Sequence, residues 1–329
     1  MKWFSKNDPI FEILKEKFGE IKKDFNLKNI SYIKIGGKAK YFYKAQKRKD
    51  LVDLVIFARK LKIPHVIIGN ASNVLFKDEG FDGLVIKNDY ARFGRDAINV
   101  LGREVVAPSG MRLLTLVKEA AFKNLGGIEF LAGIPGTIGG AIVNNASAFS
   151  KNLKDYLDGV YILNKEGEEE FLPTSKLGLS YRGSIFKGLA KKSKFLNYPI
   201  ILEAKFILTS RSKEEVLRLV QSLALIRKKS QPQEPSLGCV FKNPLWNKNE
   251  FQDFVKEGRI SAGFLIDKLG LKGKRRGRIK ISELHANFFV NLGRGKSKDY
   301  IELIEEIKER AKERFGIILK EEIEVVENC

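Results

Sequence analysis

A glycine-rich segment, residues 126–141 (GGIEFLAGIPGTIGGA), constrains the fold of this chain more than any other feature. Glycine lets backbone amides approach a bound group closely, because a Cβ would block the approach. Successive amides in such a loop form a nest that binds an anion. The spacing matches neither the Rossmann motif nor the P-loop, which excludes both. A tight surface turn is the alternative, but turns seldom need so many glycines, and we favour a phosphate-binding loop.

A second loop of small and polar residues, 69–73 (GNASN), follows a predicted buried strand at 66–68. By itself this loop is a weak signal, because Ser72 and Asn73 are equally typical of a helix cap. Together with the glycine-rich segment, it predicts a diphosphate held between two loops.

Apolar periodicity divides the chain into mixed helices and strands. Helices are predicted from Pro9, near residue 50, after Gly110, at Ser212, where Glu215 completes a capping box, and at Ser297, which is expected to be a cap. Strands are predicted at 83–86, 104–107 and 317–326, with strands and turns over 155–210. The mixture predicts an α+β protein in two major parts that divide near residue 211.

Cysteine, histidine and apolar content exclude several classes of protein. Two cysteines, Cys239 and Cys329, cannot build a disulfide framework. With two histidines in the chain, no zinc-spaced cluster arises, and we expect no metal site. The chain contains no run of about 18 apolar residues, which a transmembrane helix would need. Residues 1–9 lack the apolar run of a signal peptide. We therefore expect a soluble, cytoplasmic protein with no membrane insertion.

The formal net charge is +20, and its densest basic stretch lies at residues 272–280. Such charge is typical of nucleic-acid-binding proteins, and equally of a lysine-rich exterior that attracts anionic small molecules. The stretch contains glycines in place of the aromatic residues on which single-stranded bases stack. We favour the small molecule and expect no nucleic-acid partner.

Seven motifs occur in a fixed order along the chain. They are 69–75 (GNASNVL), 133–141 (GIPGTIGGA), 181–186 (YRGSIF), 238–244 (GCVFKNP), 262–267 (AGFLID), 285–288 (HANF) and 319–323 (LKEEI). In this combination the chain, from about residue 30 to its C-terminus, closely resembles the UDP-N-acetylenolpyruvoylglucosamine reductases, also called UDP-N-acetylmuramate dehydrogenases. No long tyrosine-bearing insertion lies between 173 and 181 or soon after 186, and the type II form of the family is the better match.

The resemblance implies an FAD-binding fold of the vanillyl-alcohol-oxidase (PCMH) type in two α/β subdomains, about 31–90 and 91–210. A helical lead-in at 1–30 precedes it, and a substrate-binding α+β domain at 211–329 follows. The resemblance also implies noncovalent FAD, NADPH as hydride donor, and reduction of enolpyruvyl-UDP-N-acetylglucosamine to UDP-N-acetylmuramate for peptidoglycan synthesis. We expect a monomer.

By position in the family motifs, the resemblance assigns the chemistry to Arg182, Cys239 and Glu322. Hydride addition to the methylene carbon of an enol ether leaves negative charge on the conjugated carboxylate, which a preorganised arginine stabilises. The adjacent carbon then needs a proton, and a thiol with a pKa of about 8.5 holds one at neutral pH. An arginine close by favours the thiolate instead, and this conflict requires either a compensating carboxylate or a separate location for the cysteine. A small buried cysteine without function is the alternative.

The resemblance assigns cofactor contacts to the two loops and one asparagine: Gly69, Asn70, Ala71, Ser72, Asn73, Gly133, Ile134, Pro135, Gly136, Thr137, Gly139, Gly140, Ala141 and Asn145. For the substrate we expect Tyr181, Arg227, Lys242 and Asn243, although Arg227 and Lys242 are equally typical of solvent-facing charges. Ala71 and Ser147 stand where the family usually has glycine, which we expect to alter FAD affinity or loop geometry without abolishing binding.

Two rival functions stay open. An oxidase on the same flavin scaffold, acting on an alcohol or hydroxy acid, would reoxidise rapidly with O₂ and ignore NADPH. A basic nucleic-acid-binding protein would be colourless and would bind DNA in a salt-sensitive way.

Overall fold

Three sheets of four or five strands organise the protein, which is seen in a computed structural model that describes residues 8–91 and 97–328. Cys329 and most of the N-terminal stretch tested for a signal peptide lie outside the described residues. Up to residue 91 the elements are α1 (Pro9–Phe18), β1 (Lys22–Asn26), β2 (Lys38–Ala45), α2 (Arg48–Lys60), β3 (His65–Ile68), β4 (Val74–Phe76) and β5 (Phe81–Asn88).

The remaining elements follow in two groups. Residues 97–210 carry β6 (Asn99–Leu101), β7 (Glu104–Pro108), α3 (Leu113–Phe122), β8 (Leu125–Gly126), α4 (Ile138–Val143), β9 (Ser147–Ala148), β10 (Lys151–Asn152), β11 (Leu157–Leu163), β12 (Glu169–Pro173), α5 (Leu189–Lys192), β13 (Ile200–Ile207) and β14 (Thr209–Ser210). Residues 211–328 carry α6 (Lys213–Ser230), β15 (Ser236–Cys239), β16 (Val255–Lys256), β17 (Arg259–Ile260), α7 (Ala262–Lys268), β18 (Arg275–Arg276), β19 (Ile279–Ile281), β20 (Phe288–Asn291), α8 (Ser297–Phe315) and β21 (Glu324–Val326). The strands predicted at 66–68, 83–86 and 104–107 are thereby confirmed.

The first sheet has the order β1-β2-β5-β3, and β2 and β3 both pair with β5 in parallel. Parallel strands need a crossover, which α2 supplies. The apolar stripe of α2 is fully buried, as its helical spacing predicts. The carboxyl end of β3 leads directly into loop 69–73, the place where α/β sheets commonly bind ligands.

The second sheet is antiparallel, in the order β12-β11-β13-β7-β6, and its core also receives α3 and α4. Helix α6 follows residue 211 in the chain, yet its Val216 is fully buried in this second core. The division into domains near residue 211 stays a prediction. What the packing shows is that α6 contributes to the core of the preceding part.

The third sheet, β15-β20-β19-β18, packs with α7 and α8 around a core that also contains Ile33, Ile35 and Leu75 from the N-terminal part. The final strand, β21, leaves this region and pairs in parallel with β4, with Val325 opposite Leu75. This return places the C-terminal residues beside loop 69–73. None of the helices in the described ranges has the length and apolar character to cross a membrane.

Two helix-start predictions are corrected in detail. Ser297 is the first residue inside α8 and does not cap it; its hydroxyl accepts a 2.8 Å hydrogen bond from the amide of Asp78. At α6, Ser212 accepts from the amide of Glu215 at 3.3 Å, as predicted, but the Glu215 carboxylate pairs with Arg211. A long-range partner at Ser297 and a local i,i+4 ion pair at Glu215 therefore replace the contacts that the sequence pattern favours.

The strand predicted at 317–326 is wrong for most of its length, since regular pairing covers β21 alone. Before β21 the chain pairs irregularly with residues 240–242. Lys242 donates its amide to the carbonyl of Lys320 at 2.9 Å, and Glu322 donates to Val240 at 2.7 Å. Glu322 is consequently fixed next to the residue that follows Cys239.

Candidate active site

A cavity of about 1060 Å³ lies where the three sheets meet. Its walls comprise β3 and loop 69–73, the glycine-rich segment, the last turn of α6, residues 231–239, and two C-terminal glutamates. Every residue predicted for cofactor contact lines this cavity except Asn145, which lies behind the wall and donates to the carbonyl of Ser180 at 2.9 Å.

The two predicted loops touch each other at Gly69 and Thr137. A Cβ on Gly69 would come within 2.2 Å of the Thr137 hydroxyl oxygen, and glycine is therefore required there. Across the same contact, the Asn70 side chain donates to the carbonyl of Pro135 at 3.0 Å. The loops thus form one continuous wall.

This wall fits a dinucleotide such as FAD. Small residues of both loops line the cavity, and within the described residues the buried Oδ1 atom of Asn70, which lines it too, has no hydrogen-bond partner. Buried polar atoms normally have partners, so this acceptor is consistent with a donor supplied by a bound ligand. Ala71, which replaces the family's glycine, has a φ of +49° and packs in the apolar core behind the loop. The departure therefore adds backbone strain at residue 71.

We expect Gly69→Ala to weaken FAD binding by about tenfold to a hundredfold, because overpacking of this kind costs about 1–3 kcal/mol. The alanine must displace Thr137, whose hydroxyl caps α4. Flavin absorbance per polypeptide and a fluorescence titration of apoprotein with FAD measure the effect. Gly102→Ala, in an open turn with a φ of +58°, is the control that strains the backbone away from the cavity. Unchanged FAD affinity in Gly69→Ala would contradict the prediction.

Arg182, Cys239 and Glu322, which come from distant stretches of the chain, all line this cavity. Arg182 Nε lies 3.1 Å from Glu322 Oε1, an ion pair that does not meet the geometry of a hydrogen bond. Both groups therefore keep hydrogen-bonding capacity for a ligand.

Burial raises the pKa of the Cys239 thiol to about 12, and the negative charge of Glu322 acts in the same direction. The positive charges of Arg182 and Arg227 oppose this and do not reverse it. Burial first, and the charge of Glu322 second, thus outweigh the arginine beside the thiol and favour its protonated form. Burial also raises the pKa of Glu322, whereas Arg182 lowers it.

The backbone at Arg182 is strained. Its φ is +53°, in a tight turn in which Ser180 and Gly183 exchange hydrogen bonds of 3.1 and 3.2 Å. Lys242 holds this turn by donating to the Arg182 carbonyl at 2.9 Å. Left-handed conformations of non-glycine residues cluster at functional sites, where the surrounding structure enforces them.

The predicted substrate residues separate into two groups. The Arg227 side chain lines the cavity and passes close to Gly133. A Cβ added to Gly133 would lie 2.3 Å from Cδ of Arg227. Tyr181, Lys242 and Asn243 are not among the described residues that line it. The Tyr181 hydroxyl accepts from the amide of Asn243 at 3.2 Å, and together with Lys242 these residues support the turn that carries Arg182. Their contact with substrate stays a prediction.

Sequence reasoning missed Lys187 and Glu324. The Lys187 ammonium donates to Asn144 Oδ1 at 2.7 Å and to the carbonyl of Glu322 at 2.8 Å. Glu324 lines the cavity, and burial raises its pKa. The sequence signal for Lys187 was its position directly after the 181–186 motif. For Glu324 the signal was its spacing of two residues from Glu322, which places both on the same face of an extended segment.

The basic stretch at 272–280 is largely paired within the protein. Lys272 contacts Asp267 at 2.8 Å, Lys280 contacts Glu283 at 2.7 Å, and Lys274 and Arg276 both contact glutamates of α8. These pairs reduce the positive potential that a nucleic-acid surface requires.

Comparisons with known proteins identify relatives. A family model described as an FAD binding domain matches residues 39–171, and one described as the C-terminal domain of UDP-N-acetylenolpyruvoylglucosamine reductase matches residues 231–326. UDP-N-acetylenolpyruvoylglucosamine reductase 2 from Bacillus thuringiensis is 34% identical over 309 residues, which is 94% of this chain and 93% of that protein. UDP-N-acetylenolpyruvoylglucosamine reductase from Streptococcus thermophilus is 35% identical over 308 residues, 93% of each chain.

A solved structure extends the likeness to the fold. The crystal structure of UDP-N-acetylenolpyruvylglucosamine reductase from Thermus caldophilus matches with a TM-score of 0.72 and 32% identity, and the match covers 94% of this chain and 98% of that one. With the matched FAD-binding domain, it confirms the predicted class, an FAD-binding fold of the vanillyl-alcohol-oxidase type followed by an α+β C-terminal part.

Proposed function

The chain belongs to the UDP-N-acetylenolpyruvoylglucosamine reductase family, and from that premise we infer how its cavity works. It is an FAD oxidoreductase that uses NADPH to reduce enolpyruvyl-UDP-N-acetylglucosamine to UDP-N-acetylmuramate, in peptidoglycan precursor synthesis. The observation that carries the residue assignment is the meeting of Arg182, Cys239 and Glu322 in one cavity walled by both loops.

FAD, when bound between loops 69–73 and 133–141, supplies the hydride that it has received from NADPH. The protein's part is to position the substrate and to manage charge and protons. Arg182 binds the substrate carboxylate and stabilises the negative charge that develops there. Glu322 orients the guanidinium through their ion pair. Cys239 donates its proton to the carbon adjacent to the one that accepts hydride.

The substrate carboxylate further favours the protonated form of Cys239 that this assignment requires. It brings a second negative charge to Arg182, which further favours the neutral thiol of Cys239. We assign binding of the substrate diphosphate to Arg227, because this cation lines the cavity. The part of the chain from residue 211 onward would then contribute most of the substrate site.

A visible spectrum followed by anaerobic titration with NADPH tests the function. The purified protein is expected to be yellow, to lose its flavin absorbance on stoichiometric addition of NADPH, and to regain it with the enolpyruvyl nucleotide sugar. A flavin that ignores NADPH and reoxidises rapidly with O₂ would indicate the oxidase instead. A colourless protein that binds DNA in a salt-sensitive way would overturn the assignment.

The rate constant of substrate reduction is expected to stay constant from about pH 7 to about pH 10. The active form of Cys239 is the protonated thiol, so the rate falls only as pH rises through its pKa, which burial has raised to about 12. Stopped-flow reoxidation of the reduced enzyme by substrate, at a series of pH values, measures this. A decline with an apparent pKa near an ordinary thiol's value of about 8.5 would contradict the assignment.

A further inference from the structure

Four polar groups form a closed hydrogen-bonded ring behind the active-site cavity. Lys187 Nζ donates to Asn144 Oδ1 at 2.7 Å and to the Glu322 carbonyl at 2.8 Å. Asn73 Nδ2 donates to the same two acceptors, at 3.3 and 3.1 Å. Each acceptor therefore receives two donors, and each donor serves two acceptors.

The ring joins the cofactor walls to the catalytic glutamate. Asn73 is the last residue of the first loop, and Asn144 directly follows α4, the helix that begins within the glycine-rich segment. The carbonyl that both donors hold belongs to Glu322, whose own amide donates to Val240 at 2.7 Å, next to Cys239. The backbone of Glu322 is thus fixed on both sides.

We propose that Lys187 is a positioning residue, which aims the Glu322 carboxylate at Arg182 by clamping the Glu322 carbonyl to the two cofactor loops. This rests on the proposed function, because it concerns the substrate-reducing step of that reaction. Lys187 itself does not touch the reacting atoms, since the cavity is lined by its neighbours Phe186 and Gly188.

A charged donor suits this position because its two acceptors are carbonyl-type oxygens, and an ammonium binds them more strongly than a neutral donor. Burial and the positive charges of Lys242 and Arg182 lower the pKa of the half-buried Lys187, while the carboxylates of Glu324 and Glu322 act in the opposite direction. Glu324 is held beside the ring because its amide donates to the Asn73 carbonyl at 2.9 Å. The two carboxylates therefore partly offset the effects that lower this pKa.

Lys187→Met is expected to slow substrate reduction by about 10²-fold, because a misplacement of about 1 Å in a catalytic group has that effect. Reduction of the flavin by NADPH should change by less than about threefold, since Glu322 acts only on the second substrate. Stopped-flow spectroscopy of each half-reaction separates the two. Lys187→Gln, which keeps one neutral donor, should show an intermediate loss.

Lys191→Met is the matched control, because Lys191 forms a surface ion pair with Glu327 at 2.6 Å nearby in the chain and does not line the cavity. It should leave both half-reactions unchanged. The positioning role would be overturned if Lys187→Met slowed both half-reactions equally, or if it slowed neither. If Lys187→Met does not fold, the same two outcomes are read from Lys187→Gln. These outcomes leave the proposed function standing, which fails only if the wild-type flavin does not respond to NADPH.

Discussion

Cys239→Ala is expected to slow reduction of the enolpyruvyl substrate by about 10²–10⁴-fold, the usual contribution of a positioned general acid. Flavin reduction by NADPH should be nearly unchanged, because no proton transfer from Cys239 enters that step. The side chain is small and half-buried in a wall of the cavity, and alanine removes the sulfur without adding bulk. Single-turnover stopped-flow measurements of the two half-reactions provide the test.

Cys239→Ser is the informative companion variant, since a hydroxyl in the same place still carries a proton. It should retain substrate reduction well above the alanine variant. Equal loss in the two half-reactions of Cys239→Ala would instead indicate that the cysteine supports cofactor binding, and the proton donor would have to be sought elsewhere.

Arg182→Met is expected to reduce the rate of substrate reduction by about 10²–10³-fold, because it removes the cation from the site where negative charge develops. Loss of the guanidinium also leaves the partly buried Glu322 without its ion-pair partner, which raises the pKa of that carboxyl further. Methionine is no more strained than arginine at the observed φ of +53°, and the comparison therefore isolates the charge.

The control for charge removal is Arg278→Met, a change in the basic stretch at a residue that donates to the carbonyl of Leu292 at 2.9 Å. It should leave turnover unchanged. Arg182→Lys retains the charge but not the bidentate geometry and should fall between wild type and Arg182→Met. If Arg182→Met kept more than about a tenth of the wild-type rate, the result would contradict this role of Arg182. A different cation would then have to stabilise the charge on the substrate carboxylate.

Local periodicity predicts most elements of this fold, because the spacing of apolar residues within a helix or strand shows which of its faces is buried. The stripe of α2 and the strands β3, β5 and β7 are examples. The pairing of β21 with β4 joins residues about 250 positions apart, and nothing in either segment specifies the partner. The same limit explains why Ser297 binds Asp78 instead of capping its own helix.

The candidate site divides in the same way. The glycine-rich segment is visible because its glycines themselves carry the physical signal, and loop 69–73 gains meaning only beside it. Arg182, Cys239 and Glu322 were instead assigned through ordered motifs, and their roles remain proposals. The ring around Lys187 was invisible to the sequence, since its four members come from four separate stretches. The strained turn at Arg182 was equally hidden, because an arginine gives no sign of a left-handed conformation.

The return of β21 to β4 has a consequence for biosynthesis. A ribosome delivers the chain from its N-terminus, and β21, with Glu322 just before it, emerges after every strand of the three sheets. A nascent polypeptide can therefore assemble those sheets before the wall that contains Glu322 is in place. Cofactor loading into a complete cavity must follow the synthesis of β21 and its pairing with β4.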